Sequence, residues 1–146
     1  MIFSTPASPD KKMGFADPGH DIGWFTRAAF KKGPEFMKRQ YVPVCGQSIS
    51  YDDLASRFFA VTGIKAEYRQ CSAEEFEARF ENFSEADRKD MGALAKWLAV
   101  APSDGVCYGT IDMERLSFAE RGLNVKALSW EAFLERTRWS GPPWDE

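Results

Sequence analysis

The 146 residues contain no glycine-rich strand-to-helix turn, only one histidine and no paired-cysteine motif, and each absence removes a class of chemistry. Dinucleotide phosphates are held where a tight glycine turn lets the backbone approach the anion at a helix N-terminus. Gly105 and Gly109 enclose Val106-Cys107-Tyr108 and open no helical run, while Gly19 and Gly23 bracket a helix start at which Asp21 would repel a phosphate. The chain is therefore expected to use no cofactor. Cys45, Cys71 and Cys107 are odd in number, widely spaced and lack C-x-x-C pairing, which argues against a zinc site, a redox pair or a disulfide framework. Reduced thiols in a cytoplasmic protein are the default. Residues 1–12 lack the apolar stretch of a signal peptide, and no run approaches the ~18 apolar residues of a membrane span. A basic face is missing too. The net charge is −3 and the pI near 5.3. The pairs Lys11-Lys12, Lys31-Lys32 and Lys38-Arg39 read as solvated surface, so neither nucleic acid nor a membrane is an expected partner.

What is present is an ordinary globular composition, 44% hydrophobic and 28% charged, with an aromatic excess of 12 Phe and 5 Trp. A chain this long folds as one domain, here 1–146, burying about 70% of the surface its unfolded form exposes. Most of the aromatics belong to that core.

Hydrophobic spacing and capping residues divide the chain. Met1-Ile2-Phe3 reads as a short edge strand before Pro6 and Pro9, and Met13 to Pro18 as a second extended piece. Asp21 reads as the N-cap of a helix carrying Ile22, Phe25 and Ala29, closed by Gly33-Pro34. Tyr41 to Gly46 reads as a strand, with Pro43 restricting it to an edge or end. Ser50 with Asp53 opens the clearest helix, which carries Leu54, Phe58 and Val61 and ends at Gly63. Ile64 to Gln70 alternates like a strand. Ser72 with Glu75 and Ser84 with Asp87 start two more helices, the second running to about Val100. Val106 to Ile111 is a strand or surface loop, and a turn or short helix from Met113 ends at Gly122. Ser129 caps a last helix with Trp130, Phe133 and Leu134. The short helical crossover predicts parallel pairing of Tyr41–Gly46 with Ile64–Gln70. The expectation is a small single α/β domain with a short mixed or partly parallel sheet and several helices.

The order Phe15-x-Asp17, Asp21-Ile22-Gly23-Trp24, Tyr41-Val-Pro-Val-Cys-Gly46, Ser50-Tyr-Asp-Asp-Leu54 and Lys65-Ala-Glu-Tyr-Arg-Gln-Cys-Ser72 resembles the C-terminal half of NmrA-like proteins. These are atypical short-chain dehydrogenase relatives, akin to isoflavone reductases. The resemblance covers most of the chain. It implies the substrate-binding lobe, with the N-terminal Rossmann half that holds NAD(P) in the family missing. The Tyr-x-x-x-Lys pair of ordinary short-chain dehydrogenases is absent as well: Tyr41, Tyr51, Tyr68 and Tyr108 are followed four residues later by Cys45, Ala55, Ser72 and Asp112.

Candidate chemistry begins at His20, the one side chain that ordinarily titrates near neutrality; beside Asp21 it could act as acid or base, or be a surface loop residue next to a cap. Tyr51 is a third candidate acid–base group. Asp17 and Asp21 would need distant partners to bind a metal, and a turn with an N-cap accounts for them, so no metal site is expected. Cys45, Trp24, Tyr68 and Tyr108 are candidate substrate-binding residues. Cys45 as a nucleophile would need His20 as its base, and a buried thiol is the alternative. Arg27, Arg57 and Arg69 with the tyrosines could position a phenolic or enolate ligand, or could be packing and surface residues.

Three functions stay open. The first is binding or transformation of an organic small molecule, in secondary metabolism by the family resemblance, through cofactor-independent isomerase, dehydratase or cyclase chemistry. The second is a non-enzymatic regulatory module with a protein partner. The third is a fragment of an NAD(P)-dependent reductase. A homodimer is expected to cover the face that the missing half would meet.

Overall fold

The computed structural model describes residues 1–38, 41–100 and 119–141. Two small sheets form. β1 (Ile2–Phe3) pairs in parallel with β4 (Glu67–Tyr68), with Ile2 opposite Glu67 and Phe3 opposite Tyr68. Further backbone bonds continue this pairing on both sides, from Glu67 N to Met1 O at 3.1 Å, Arg69 N to Phe3 O at 2.9 Å and Cys71 N to Thr5 O at 3.1 Å. β2 (Lys12–Phe15) pairs antiparallel with β3 (Gln47–Ser50). The short mixed set of strands among several helices is the expected α/β class.

The strand expected at Tyr41–Gly46 does not form, and its parallel pairing with Ile64–Gln70 is replaced. Pro43 can donate no ladder bond. Val42 and Val44 instead pack on the cluster of Phe25, Leu123 and Ala127. Gly46 shows why this stretch passes where it does: a Cβ there would overlap the Leu128 carbonyl, so only glycine permits the crossing. Gly46 N donates to Phe15 O at 2.8 Å, and the ladder proper starts one residue later, at Gln47. The parallel partner of Glu67–Tyr68 is the N-terminal strand, and only that pair of residues within Ile64–Gln70 is in strand geometry.

The helices follow their caps. A π-helical turn, Pro18–Ile22, runs directly into α1 (Gly23–Lys32), and Gly33 at φ 79° separates it from α2 (Pro34–Met37). α3 (Tyr51–Thr62) starts where Ser50 Oγ accepts from Asp53 N and stops at left-handed Gly63. α4 (Ala73–Ala78) has the complete reciprocal box between Ser72 and Glu75. α5 (Glu85–Val100) begins at Ser84, whose Oγ accepts from Asp87 N. Residues 119–123 are helical and are called α6. α7 (Trp130–Thr137) is capped by Ser129. The stretch Val106–Ile111, most of that from Met113 to Arg121 and the tail from 142 lie outside the described residues.

The main core lies where α3 packs on α7, built from Ile49, Leu54, Phe58, Trp130 and Leu134. Trp130 Nε1 donates to Leu54 O at 3.0 Å, so the indole is buried with its polar edge satisfied. A second cluster joins Ala7, Tyr51 and Leu98. Beside it the fully buried Lys11 donates from Nζ to Leu98 O at 3.2 Å, placing a cation at the C-terminal turn of α5 with Trp97 5.7 Å away. The third cluster, around Phe25, holds α1 against residues 123–127.

Candidate functional site

Asp17 and Asp21 shape the approach to α1. Asp17, not Asp21, is the N-cap: its Oδ1 accepts from Gly19 N at 3.0 Å, and Arg136 of α7 pairs with its other oxygen. The expectation that Asp21 caps α1 is corrected by its burial. With 0% exposure, its carboxylate accepts from Asp17 N at 2.8 Å and Leu128 N at 3.1 Å, and its Oδ1 lies 2.8 Å from His20 Nδ1. A buried carboxylate with this many partners is tied into the fold, because each of its two oxygens has found a donor. It also orients the histidine. The hydrogen bond engages Nδ1 and not Nε2, and the His20 ring rests against Trp24 with centroids 6.0 Å apart.

Two grooves flank α1. The first, about 550 Å³, is bordered by α1, α2 and residues 42–44, with Phe25, Ala29, Phe30, Met37, Val42 and Val44 among its walls and Thr26 the one polar side chain among the described residues. Phe30 at its lip is 83% exposed. The second, about 570 Å³, lies between the opposite face of α1 and residues 123–125, and includes Trp24, Arg27, Lys31 and Lys32. The Arg27 guanidinium stands 5.4 Å from the Trp24 ring centroid.

The candidate residues therefore fall into separate groups. His20, Asp21 and Trp24 come together at the start of α1. Tyr51 and Tyr68 stack on each other at 5.1 Å in another part of the fold. The Tyr68 hydroxyl donates toward the Thr5 and Ala7 carbonyls, at 3.0 and 2.6 Å, and contacts Thr5 Oγ1 at 2.7 Å. Burial raises the Tyr68 pKa above its ordinary value, with the Thr5 hydrogen bonds opposing only in part. Such a phenol is a structural tie. Cys45 is buried, and its Sγ–H donates to Gln47 O at 3.3 Å. Burial pushes its thiol pKa up, the reverse of what an attacking thiolate needs. Cys45 lines neither groove. Tyr108 lies outside the described residues. Arg57 pairs with Glu131 at 2.6 Å and Arg69 with Glu67 at 2.7 Å, both near the surface. Among the described residues no three His, Cys, Asp or Glu side chains gather as a metal site, and no helix is long and apolar enough to cross a membrane.

Sequence reasoning missed the apolar groove. Its signal was an apolar stripe on α1 too wide for one buried face: Ile22, Phe25, Ala29 and Phe30 cannot all enter the same core.

Comparison with known proteins agrees with the fold. The pattern of the NmrA-like family matches residues 1–127. Among solved structures, NmrA, a negative transcriptional regulator in complex with NAD, superposes with a TM-score of 0.72 at 16% identity, over 90% of this chain and 41% of that one. The same regulator in complex with NADP gives 0.67 at 16%, over 98% and 46%. A nucleoside-diphosphate-sugar epimerase from Staphylococcus aureus gives 0.65 at 17%, over 92% and 43%. The chain thus spans less than half the length of these neighbours, and at such identity they share its fold. No curated protein sequence matches it. With most of its length matched by the family pattern, the chain belongs to the NmrA-like family.

Proposed function

We propose that residues 1–146 form one domain equivalent to the C-terminal substrate-binding lobe of an NmrA-like protein, and that they bind an apolar organic molecule in the groove between α1, α2 and residues 42–44. The observation that carries this reading is the groove itself: about 550 Å³, almost wholly apolar, and open at Phe30. Small-molecule sites commonly measure roughly 300–1,000 Å³ with few polar groups. The absence of a glycine-rich phosphate turn from the sequence supports binding that uses no dinucleotide. A place in secondary metabolism rests on the family resemblance alone.

Any isomerisation, dehydration or cyclisation would fall to His20, whose Nδ1 is engaged by Asp21, which leaves Nε2 as the nitrogen to take or give a proton. Tyr51, buried against Tyr68, supports packing better than proton transfer. The reading therefore stands first on binding. A competing occupant of the same groove is a second copy of the chain or another protein, favoured by the exposure of Phe30 and Ile22.

The neutral fluorophore N-phenyl-1-naphthylamine tests the proposal. It should bind saturably to one site per chain, and Ala29→Trp, which fills the groove, should abolish that binding while circular dichroism is unchanged. Equal binding by Ala29→Trp would defeat the groove assignment. Sedimentation with and without the probe separates the occupants: a dimer that the probe cannot dissociate assigns the groove to a second copy. Micromolar NADPH binding by these 146 residues would overturn the cofactor-independent reading.

A further inference from the structure

We infer that the groove on the far side of α1 is a second binding site, one for a small aromatic carboxylate. It is independent of the apolar groove, because helical spacing sends its residues to the other face. Trp24, Arg27 and Lys31 follow one another at intervals of three and four along α1, while Phe25, Ala29 and Phe30 point elsewhere.

The chemistry of the lining is unusual for plain surface. Trp24 keeps 48% of its surface exposed although a wall of Leu123 and Val125 stands across the groove, and Leu123 itself is buried. The indole is bordered by the His20 ring at 6.0 Å and by the Arg27 guanidinium at 5.4 Å. Arg27, Lys31 and Lys32 have no carboxylate within ion-pair distance among the described residues. Two lysines in the last turn of α1 are favourable with the helix dipole. That accounts for Lys31 and Lys32. It does not account for an arginine stacked on a half-open tryptophan one turn earlier.

The Arg27 guanidinium stands 5.4 Å from the Trp24 ring centroid, and Lys31 follows about one turn further along the helix. An anion joined to an aromatic ring by a short linker spans that interval. The planar guanidinium matches a carboxylate in two parallel hydrogen bonds, which selects a carboxylate over a more diffuse anion. The size of the groove, about 570 Å³, suits one small molecule. A nucleic-acid backbone or an acidic protein would need a longer basic track than three cations on a chain of net charge −3.

Cinnamate and its uncharged amide, cinnamamide, are the probes, followed by the Trp24 indole N–H resonance in ¹H–¹⁵N spectra. Cinnamate should shift that resonance saturably, and cinnamamide should bind at least about tenfold more weakly, the worth of one charge-assisted hydrogen bond. Arg27→Gln should weaken cinnamate about tenfold. With binding followed by the backbone amide resonances of Ala28 and Leu123, which line the same groove, Trp24→Ala should weaken it comparably, and Trp24→Phe should restore part of the loss. Lys89→Gln removes the same charge from α5 and should leave the affinity unchanged. All these side chains are exposed, so the variants should fold. The assignment is overturned if millimolar cinnamate leaves the Trp24 resonance in place, if cinnamamide binds equally, or if Lys89→Gln weakens binding as much as Arg27→Gln. Tighter binding of AMP or of a poly-glutamate peptide at the same resonance would also overturn it, in favour of a phosphate or a macromolecule.

Discussion

Between α3 and α7 six aromatic rings, Phe3, Phe15, Phe58, Trp130, Phe133 and Trp139, meet with centroids 5.3–6.4 Å apart, most of them edge to face or tilted. On α1 of the same chain, Trp24 and Phe30 stay 48% and 83% exposed. Composition treats the two groups alike, and the difference lies in what frames them. α3 and α7 are each started by a serine cap, cross-linked by Trp130 Nε1 to Leu54 O, and closed over by β1 and β2. α1 has no side-chain cap of its own; it is aimed by the Asp17–Asp21 turn and held by the single buried ring of Phe25. One region uses its aromatic surface for stability, and the other leaves it open at the surface.

The most demanding way to break that contrast is Phe58→Ala. Phe58 is fully buried, with Phe3 at 5.4 Å and Trp139 at 5.7 Å, so truncation removes its transfer energy and opens a cavity that the neighbouring rings cannot close. A loss of about 3–5 kcal/mol is expected, read from the midpoint of urea unfolding at constant m-value. A loss below ~1 kcal/mol would mean that the aromatic cluster is no firmer than α1.

An intermediate effect is expected at Tyr68, on the ladder that ties β1 to β4. Tyr68→Phe removes the donor shared by the Thr5 and Ala7 carbonyls and should cost about 1–2 kcal/mol. It should also change the alkaline limb of the stability profile. The folded chain holds the Tyr68 proton more tightly than the unfolded chain, whose phenol titrates near 10.0. The resulting stabilisation is complete below that pH and fades as pH rises through the raised folded value, since the unfolded state loses its proton first. Cys45, with its thiol also pushed up by burial, adds in the same direction above the ordinary thiol value of 9.0. Thermal unfolding between pH 8 and about 11 should therefore fall less steeply in Tyr68→Phe than in the parent. Identical slopes would show that the phenol is not held by the fold.

The sequence made the firm region legible and the open one only in part. Ser50, Ser72, Ser84 and Ser129 each announced a helix start that the structure keeps, because a cap is a local bond between residues three apart. The strand at 41–46 was misread because β-branched Val42 and Val44 serve a helix cluster instead of a ladder, a choice made by partners eighty residues away. Asp21 looked like a cap because a carboxylate before an apolar stripe usually is one; its long-range bond to Leu128 N has no local signature. His20 and Trp24 are site candidates by their chemistry alone, and the fold sets their rings 6.0 Å apart. The grooves beside them were not legible, since a groove is a relation between α1 and segments far along the chain.

The smallest expected change in stability sharpens the comparison most. Phe30→Ser exchanges an aromatic ring for a hydroxyl at a position 83% exposed, so little area leaves or enters water on folding. Stability should shift by no more than about 0.5 kcal/mol, the range of ordinary surface substitutions, and the same urea titration that reports the collapse of Phe58→Ala will measure it. Binding should respond in the opposite proportion. Phe30 forms the lip of the apolar groove, and its loss should weaken the neutral naphthylamine probe several-fold, because an aromatic wall contributes both area and ring contacts to an apolar ligand. If Phe30→Ser instead destabilised the fold by more than ~1 kcal/mol, the ring would be packed in solution against something, and a second copy of the chain would then be the first occupant to test by sedimentation.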